Sequence, residues 1–434
     1  MGSIRNTLRA HLTIWGIYLR SLGKWTAVSV VTGTLCGLLG SAFHIGVEYA
    51  TQWRGAHPWL LYCLPVLGLG IVALYKLLGT EGQGTNSILE EVQSGRGLPP
   101  ALVPAIFVST LLTHLGGGSV GREGAALQMG GTLGFCTARL LRLDDRDMRT
   151  ATITGMAAFF AALFGTPMAA TVFALGVVSV GLVYHAALIP ALLASLTAYG
   201  ISRLLGVEPT CFAVTAPAPA PVTFLRVAVL ATLCAMLSIV LCETVHGAEK
   251  LAERKIGNPW LRVALGGAAI AALTLACGTT DYNGAGMGVI AAAVEQGRAV
   301  PWAFALKLLF TVVTLAAGYK GGEVVPSFFI GATFGCAVGP LLGLPAGFAA
   351  AVGLVAVFCG AVNCPLASTF LAVELFGAEG MLYFALACAL SFVLSGYSGL
   401  YSSQRILYDK LKARYIDART NAYREGRGDE TPQN

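Results

Sequence analysis

Eight apolar stretches constrain this chain more than any other feature: 26–46, 59–78, 101–116, 179–206, 223–242, 261–277, 302–317 and 380–396. Each is near the ~20 residues that a helix needs to cross a bilayer. Charged residues make up only 12% of the chain, and the mean hydropathy is +0.71. A soluble domain carries about twice that charged fraction. The expected fold class is therefore an all-α membrane protein.

Glycine refines that expectation. Many of the 54 glycines lie inside apolar segments beside Ala and Ser, a pattern that lets helices approach closely in lipid. Dense clusters at 116–118 and 321–322 go further, because glycine-interrupted apolar segments mark transporter binding sites. The eleven cysteines sit mostly in apolar runs, without a CxxC pair near histidine, and read as small buried hydrophobes; no metal site or cofactor is expected. No cleavable signal sequence is evident. Arg5, Arg9, Arg20 and Lys24 make 1–25 a basic lead-in, and Arg405, Lys410, Lys412 and Arg414 follow the last apolar segment. The positive-inside rule puts both ends in the cytoplasm, with the body in a bacterial inner (plasma) membrane. The net charge of +6 then reports topology, and no nucleic-acid partner is implied.

The chain repeats itself. NPWLRVALGGAAIAALTLACGTT (258–280) echoes HPWLLYCLPVLGLGIVALYKLLGT (57–80), and AVEQGRAVPWAF (293–304) echoes EEVQSGRGLPPAL (90–102). GLVAVFCGAVNCPLASTFLAVE (353–374) matches GMAAFFAALFGTPMAATVFALG (155–176) without a gap, and GATFG (331–335) matches GGTLG (130–134). All four share an offset of about 200 residues. The expected organisation is a basic segment 1–25, a first repeat 26–207, a Pro/Ala-rich linker 208–222, a second repeat 223–405 and a polar tail 406–434. Two related membrane halves point to a transporter with its site at their interface. The halves differ at Gly176 against Glu374, at Thr166 against Cys364, and at GREG against GGEVVP.

The run from Gly116 to Gln128, GGGSVGREGAALQ, carries the clearest chemistry. Glycines such as Gly121 and Gly124 let backbone amides reach a ligand, and free N–H groups at a helix start bind anions. Glu123 is itself an anion placed in such a site. In a desolvated pocket it competes with a small anion for the same amides, and protonation releases it. The alternative is an acid that complements a helix dipole, paired with Arg122. Motifs for hydrolases and nucleotide-binding loops (HExxH, GxSxG, GxxxxGK[ST]) are absent and the six histidines are scattered, so an enzyme is not expected.

GREG after a glycine-rich turn resembles the second signature of the ClC chloride channel and transporter family. GGEVVPSFF (321–329) stands where that family has GxFxP, and LYSS (400–403) where it has an anion-binding tyrosine, here Tyr401, with Tyr397 as the competing assignment. The resemblance spans about 26–405. It implies a homodimer, one anion pathway per subunit, and two inverted repeats built from tilted, broken and re-entrant helices. Chloride members carry GSGIP at the first signature, whereas this chain has Gly84-Thr85-Asn86-Ser87-Ile88, with Thr85 or Asn86 as the ion-facing residue. Ala125 replaces the proline of GREGP. GREG followed by Gln and Met, GGEV-x-P-x-FF, and PLAST…ELFG (365–377) resemble the fluoride/proton antiporter branch.

Two departures stand out. The fluoride branch commonly has threonine where Val325 stands. The inner glutamate of chloride/proton exchangers has no counterpart in 173–179, which makes Glu323 the candidate proton relay, or else an acid that satisfies local amides at a helix start. Glu374 is either a buried structural acid or a second relay. The resemblance implies an exporter of fluoride in exchange for protons, with Glu123 as gating carboxylate. The anion would be held by amides near Val324 and Val325, by Thr85 or Asn86, by the Tyr401 hydroxyl and by the ring edges of Phe328 and Phe329. The alternative is a chloride/proton exchanger or a passive chloride channel.

Overall fold

The computed structural model describes residues 2–95, 97–412 and 414–421, with side chains from residue 11 onward. The described residues form sixteen α-helices. The first eight are α1 (Gly2–Ala56), α2 (Leu64–Leu77), α3 (Thr85–Ser94), α4 (Leu102–Gly116), α5 (Glu123–Leu140), α6 (Asp145–Phe164), α7 (Pro167–Gly176) and α8 (Leu188–Leu204). The rest are α9 (Pro221–Lys255), α10 (Pro259–Cys277), α11 (Met287–Glu295), α12 (Ala303–Ala316), α13 (Val324–Val338), α14 (Ala346–Val362), α15 (Pro365–Phe376) and α16 (Met381–Leu394).

Among the described residues, six helical stretches are long and apolar enough to cross a membrane: 11–56, 58–77, 185–204, 221–255, 259–277 and 324–342. Large apolar side chains such as Val66, Met236 and Leu341 stay exposed on the surface, as a lipid-facing body requires. Three apolar segments expected to span are shorter. α4, α12 and α16 hold 15, 14 and 14 residues. At 1.5 Å per residue they reach roughly 21–23 Å, short of the ~30 Å hydrocarbon core. They end where glycine-rich turns break the helix inside protein, so the freed backbone groups find internal partners. The 179–206 segment also differs from expectation, because 179–180 form a strand and the long helix starts only at Leu188. Gly181 (φ +87°) turns the chain between them.

Small residues set the closest helix crossings. A Cβ on Gly130 would strike the Gly155 carbonyl, and one on Gly134 the Ala151 carbonyl, which locks α5 onto α6. Gly331 against Gly353 and Gly335 against Ala349 make the same crossing between α13 and α14. The N-termini of α5 and α13 meet from opposite directions through an antiparallel bridge between Gly121 and Gly322, the arrangement of inverted repeats. An aromatic stack joins both pairs. Phe173 lies 5.3 Å from Phe160 and 5.9 Å from Phe358, and Phe328 lies 5.1 Å from Phe358 and 6.2 Å from Phe164.

Several segments differ from their sequence reading. Residues 2–25 are the opening part of α1, which runs unbroken through residue 26 for 55 residues. The 208–222 segment lacks helix up to Pro221 but is tied down: Thr210 N–H donates to Phe164 O (2.9 Å) and Phe212 N–H to Leu375 O (2.8 Å). After Ser402 the chain does not leave the body. A small sheet forms from β1 (Ser179–Val180), β2 (Arg405–Tyr408) and β3 (Tyr415–Arg419), with β1 parallel to β2 and β2 antiparallel to β3. Residues 422–434 of the expected tail lie outside the described residues.

Candidate anion and proton site

The site begins where α4 stops. Gly117 takes a left-handed φ of +89°, and the amides of Gly117 and Gly118 close the helix on His114 O (3.2 Å) and Thr113 O (2.9 Å). The next residues run extended and are pinned to α12, with Ser119 N–H on Thr314 Oγ1 (3.0 Å) and Ser119 Oγ 3.1 Å from Thr311 Oγ1. Gly121 then exchanges two backbone hydrogen bonds with Gly322, at 2.7 and 2.8 Å. A side chain at Gly322 would collide with the amide of Gly124, so only glycine allows the two helix starts to lie this close.

Glu123 opens α5 and is fully buried. Its Oε2 accepts from Arg122 N–H (2.9 Å) and from Val325 N–H (3.2 Å) in the first turn of α13. Its Oε1 has no hydrogen-bond partner. The carboxylate therefore occupies amides contributed by both glycine-broken helices, the donors that a bound anion would take. Val324 and Val325 are buried beside it, and Val325 contributes through its backbone, whatever its side chain.

Thr85 and Asn86 separate clearly. Gly84 stands at the N-cap of α3, and Thr85 Oγ1, in its first turn, accepts from Gln128 Nε2 (3.0 Å). A Cβ on Gly124 would sit 3.4 Å from Thr85 Oγ1, which places that hydroxyl over the first turn of α5. Asn86 is used elsewhere: its Oδ1 accepts from Ser403 N–H at 3.0 Å and braces the segment that carries Tyr401. Tyr401 is buried, and its hydroxyl has no partner. Its backbone is held by Gln404 N–H (3.0 Å) and Thr420 Oγ1 (2.6 Å), both donating to Tyr401 O. Tyr397 differs, with its hydroxyl 2.7 Å from Asp409 Oδ2.

The two phenylalanines part company. Phe328 joins the aromatic stack, whereas Phe329 packs on Tyr282 (6.2 Å) and lies 5.1 Å from Lys307 Nζ. Glu323 is the N-cap residue of α13, and its Oε2 is buried without a partner. Glu374 is committed: its two oxygens accept from Met168 N–H (3.0 Å) and Ala169 N–H (2.8 Å), capping the start of α7. Arg122 is nine-tenths buried and lines a cavity of ≈1630 Å³ with His44, Glu48, Arg54, Asn283 and Arg298.

Three residues to which the sequence assigned no role belong to this frame. Gln128 orients Thr85. Lys307 is fully buried and donates to Tyr282 O (3.1 Å) and Gly284 O (2.6 Å). Arg54 Nη1 donates to His114 O at 2.5 Å. A lone lysine and a lone glutamine inside apolar helices were the available signals.

Residues 72–396 match the voltage gated chloride channel family. The chain belongs to that family. It is a family of channels and transporters, integral to the membrane through multiple apolar helices. The chain is 37% identical over 398 residues to a chloride/fluoride channel protein of Pseudomonas syringae pv. tomato, a match that covers 90% of this chain and 88% of the relative. It is 25% identical over 384 residues to the H(+)/Cl(-) exchange transporter ClcA of Yersinia pestis, covering 80% of this chain and 79% of ClcA. Among solved structures, a CLC-type fluoride/proton antiporter superposes with a TM-score of 0.86 at 33% identity, covering 88% of this chain and 98% of the other. A slow cyanobacterial Cl-/H+ antiporter shares the fold, with a TM-score of 0.74 at 20% identity, over 86% and 94% of the two chains.

Proposed function

We propose that this protein is a fluoride/proton antiporter in which Glu123 and fluoride take turns at one amide site. The observation that carries the reading is the Glu123 carboxylate on Arg122 N–H and Val325 N–H, at the meeting point of α5 and α13. Protonated, the side chain loses its charge and much of its hold on those amides, and fluoride can replace it. Deprotonated, it reclaims them. One proton is thereby linked to each exchange of occupant. Fluoride is small and strongly hydrated, so removing it from water requires several close donors. Arg122 N–H, Val325 N–H and the unpartnered Tyr401 hydroxyl supply them, with the Thr85 hydroxyl above the first turn of α5. Glu323, with its buried free oxygen, is the second proton stop. The likeness to the fluoride/proton antiporter structure supports the same substrate and coupling.

The protein works as a homodimer in a bacterial inner membrane, with both ends cytoplasmic, in keeping with the basic residues near each end. A second reading, chloride/proton exchange, draws on one observation: Val325 offers no side-chain hydroxyl to the ion. Efflux from liposomes, followed with fluoride and chloride electrodes, separates the two. Fluoride efflux should exceed chloride efflux by a wide margin; equal or faster chloride efflux rules out fluoride as the substrate.

A further inference from the structure

α12 is apolar along most of its length and leaves Leu309 exposed on one side. Another side breaks that pattern. Lys307, Thr311 and Thr314, spaced i, i+4 and i+7, share one face of the helix, and all three are fully buried. Polar side chains at membrane depth are costly and turn toward protein rather than lipid. This face meets the 117–121 run, the extended segment that leads into Glu123.

Each of the three holds that run, directly or through one loop. Thr314 Oγ1 accepts from Ser119 N–H at 3.0 Å, and Thr311 Oγ1 lies 3.1 Å from Ser119 Oγ. A Cβ on Gly118 would stand 2.6 Å from Thr113 Cγ2 and 3.1 Å from Thr314 Cγ2, so glycine lets the run lie this close to α12. Lys307 acts through the 282–284 loop. Its ammonium donates to Tyr282 O (3.1 Å) and Gly284 O (2.6 Å). That loop donates in turn to the start of the run, Asn283 Nδ2 to Gly117 O (2.7 Å) and Gly284 N–H to Gly118 O (3.0 Å). The same ammonium lies 5.1 Å from the Phe329 ring of α13. A Cβ on Gly286 would stand 2.6 Å from that ring, so the loop closes on α13 as well. The contacts of Lys307 are carbonyls and a ring, with no carboxylate among them.

We propose that the Lys307–Thr311–Thr314 face is a positioning cradle for anion exchange, which fixes the 117–121 run so that Arg122 N–H stands beside Val325 N–H. The two amides come from different halves of the chain and must meet in the same place at every change of occupant. Lys307 anchors both. It bonds the loop that holds the first half's run, and it lies against Phe329, four residues beyond Val325 on α13. Hydrogen bonds weaken steeply as they bend. A run free to shift therefore presents one good amide to the ion instead of two. Glu123 then competes poorly for the site, and fluoride passes without a proton. The inference rests on the reading that Glu123 and fluoride alternate at these amides.

The test uses full-length protein in liposomes, with fluoride efflux and proton uptake recorded together. Lys307→Met keeps an apolar stem and removes the ammonium. Thr314→Val keeps the shape and removes the acceptor for Ser119 N–H, and it serves should the lysine variant fail to fold. Both should move fewer protons per fluoride than the wild type. Calorimetric titration with sodium fluoride, on the Glu123→Gln background where no carboxylate competes, should show binding weakened by roughly 10-fold, the scale of one hydrogen bond to a charged partner. The proton-to-fluoride ratio belongs to each folded molecule, so a variant that merely lowers yield or thermal stability leaves it unchanged. A wild-type ratio and affinity in folded Lys307→Met, or in Thr314→Val where the lysine variant does not fold, overturn the cradle. Glu123→Gln alone separates the two readings. Lost coupling there, with wild-type behaviour in the cradle variants, sinks the cradle and keeps the alternation at Glu123; full coupling there sinks both.

Discussion

Replacing Glu123 by Gln removes a charge while keeping the size of the side chain. Oε2 holds two amides, at 2.9 Å and 3.2 Å. Hydrogen bonds to a charged acceptor contribute about 1.5–3 kcal/mol each, and those to a neutral one about 0.5–1.5. The pair thus holds the carboxylate by about 3–6 kcal/mol and a glutamine carbonyl by about 1–3. An incoming fluoride must displace whichever is there. The difference of about 2–3 kcal/mol corresponds to roughly 30- to 150-fold tighter fluoride binding in the variant. Titration calorimetry on the purified protein at alkaline pH reads this directly, and the same variant in liposomes should move no protons with fluoride. Unchanged or weaker fluoride affinity in a folded Glu123→Gln protein would refute competition for shared amides.

Three other substitutions separate structure from transport. Tyr401→Phe removes a buried hydroxyl that has no partner, so thermal stability should hold or rise while fluoride efflux falls; unchanged efflux removes Tyr401 from the pathway. Glu374→Gln leaves one neutral acceptor in place of two charge-assisted caps on α7, and the unfolding free energy should drop by about 2.5–4.5 kcal/mol. Its fluoride-to-proton ratio should stay as in the wild type, and a changed ratio would make Glu374 a relay. Gly322→Ala forces a methyl between the two helix starts at a cost of about 1–3 kcal/mol from overpacking. Transport should fall more than thermal stability does, because the strain falls on the amides that hold the anion.

Much of this was legible in the chain, because dense glycine clusters and charges inside apolar segments mark where membrane helices break and meet. The GREG and GGEVVP runs pointed to the two helix starts that meet at Gly121 and Gly322. The matched GGTLG and GATFG segments fall in the two equivalent crossings of α5 on α6 and α13 on α14. What stayed hidden depends on tertiary pairing. Composition does not tell which of two adjacent polar residues faces a ligand; Asn86 reaches Ser403, some 300 residues away in the chain, while Thr85 meets Gln128. Phe328 and Phe329 diverge because neighbouring helical positions point about 100° apart. The hairpin after Ser402 was invisible for a similar reason. Its strands are short and polar, and they are stable only because β1 and the carbonyls of Val177 and Val362 receive them.

The linkage of proton to anion at Glu123 is tested most directly by uphill transport. Liposomes containing the wild-type protein are loaded with fluoride and set against an opposing proton gradient. Fluoride leaving down its gradient should drive protons inward against theirs, and chloride at the same concentration should not. Fluoride leaving without proton movement, or chloride driving protons equally well, would contradict the exchange of carboxylate and fluoride at the shared amides.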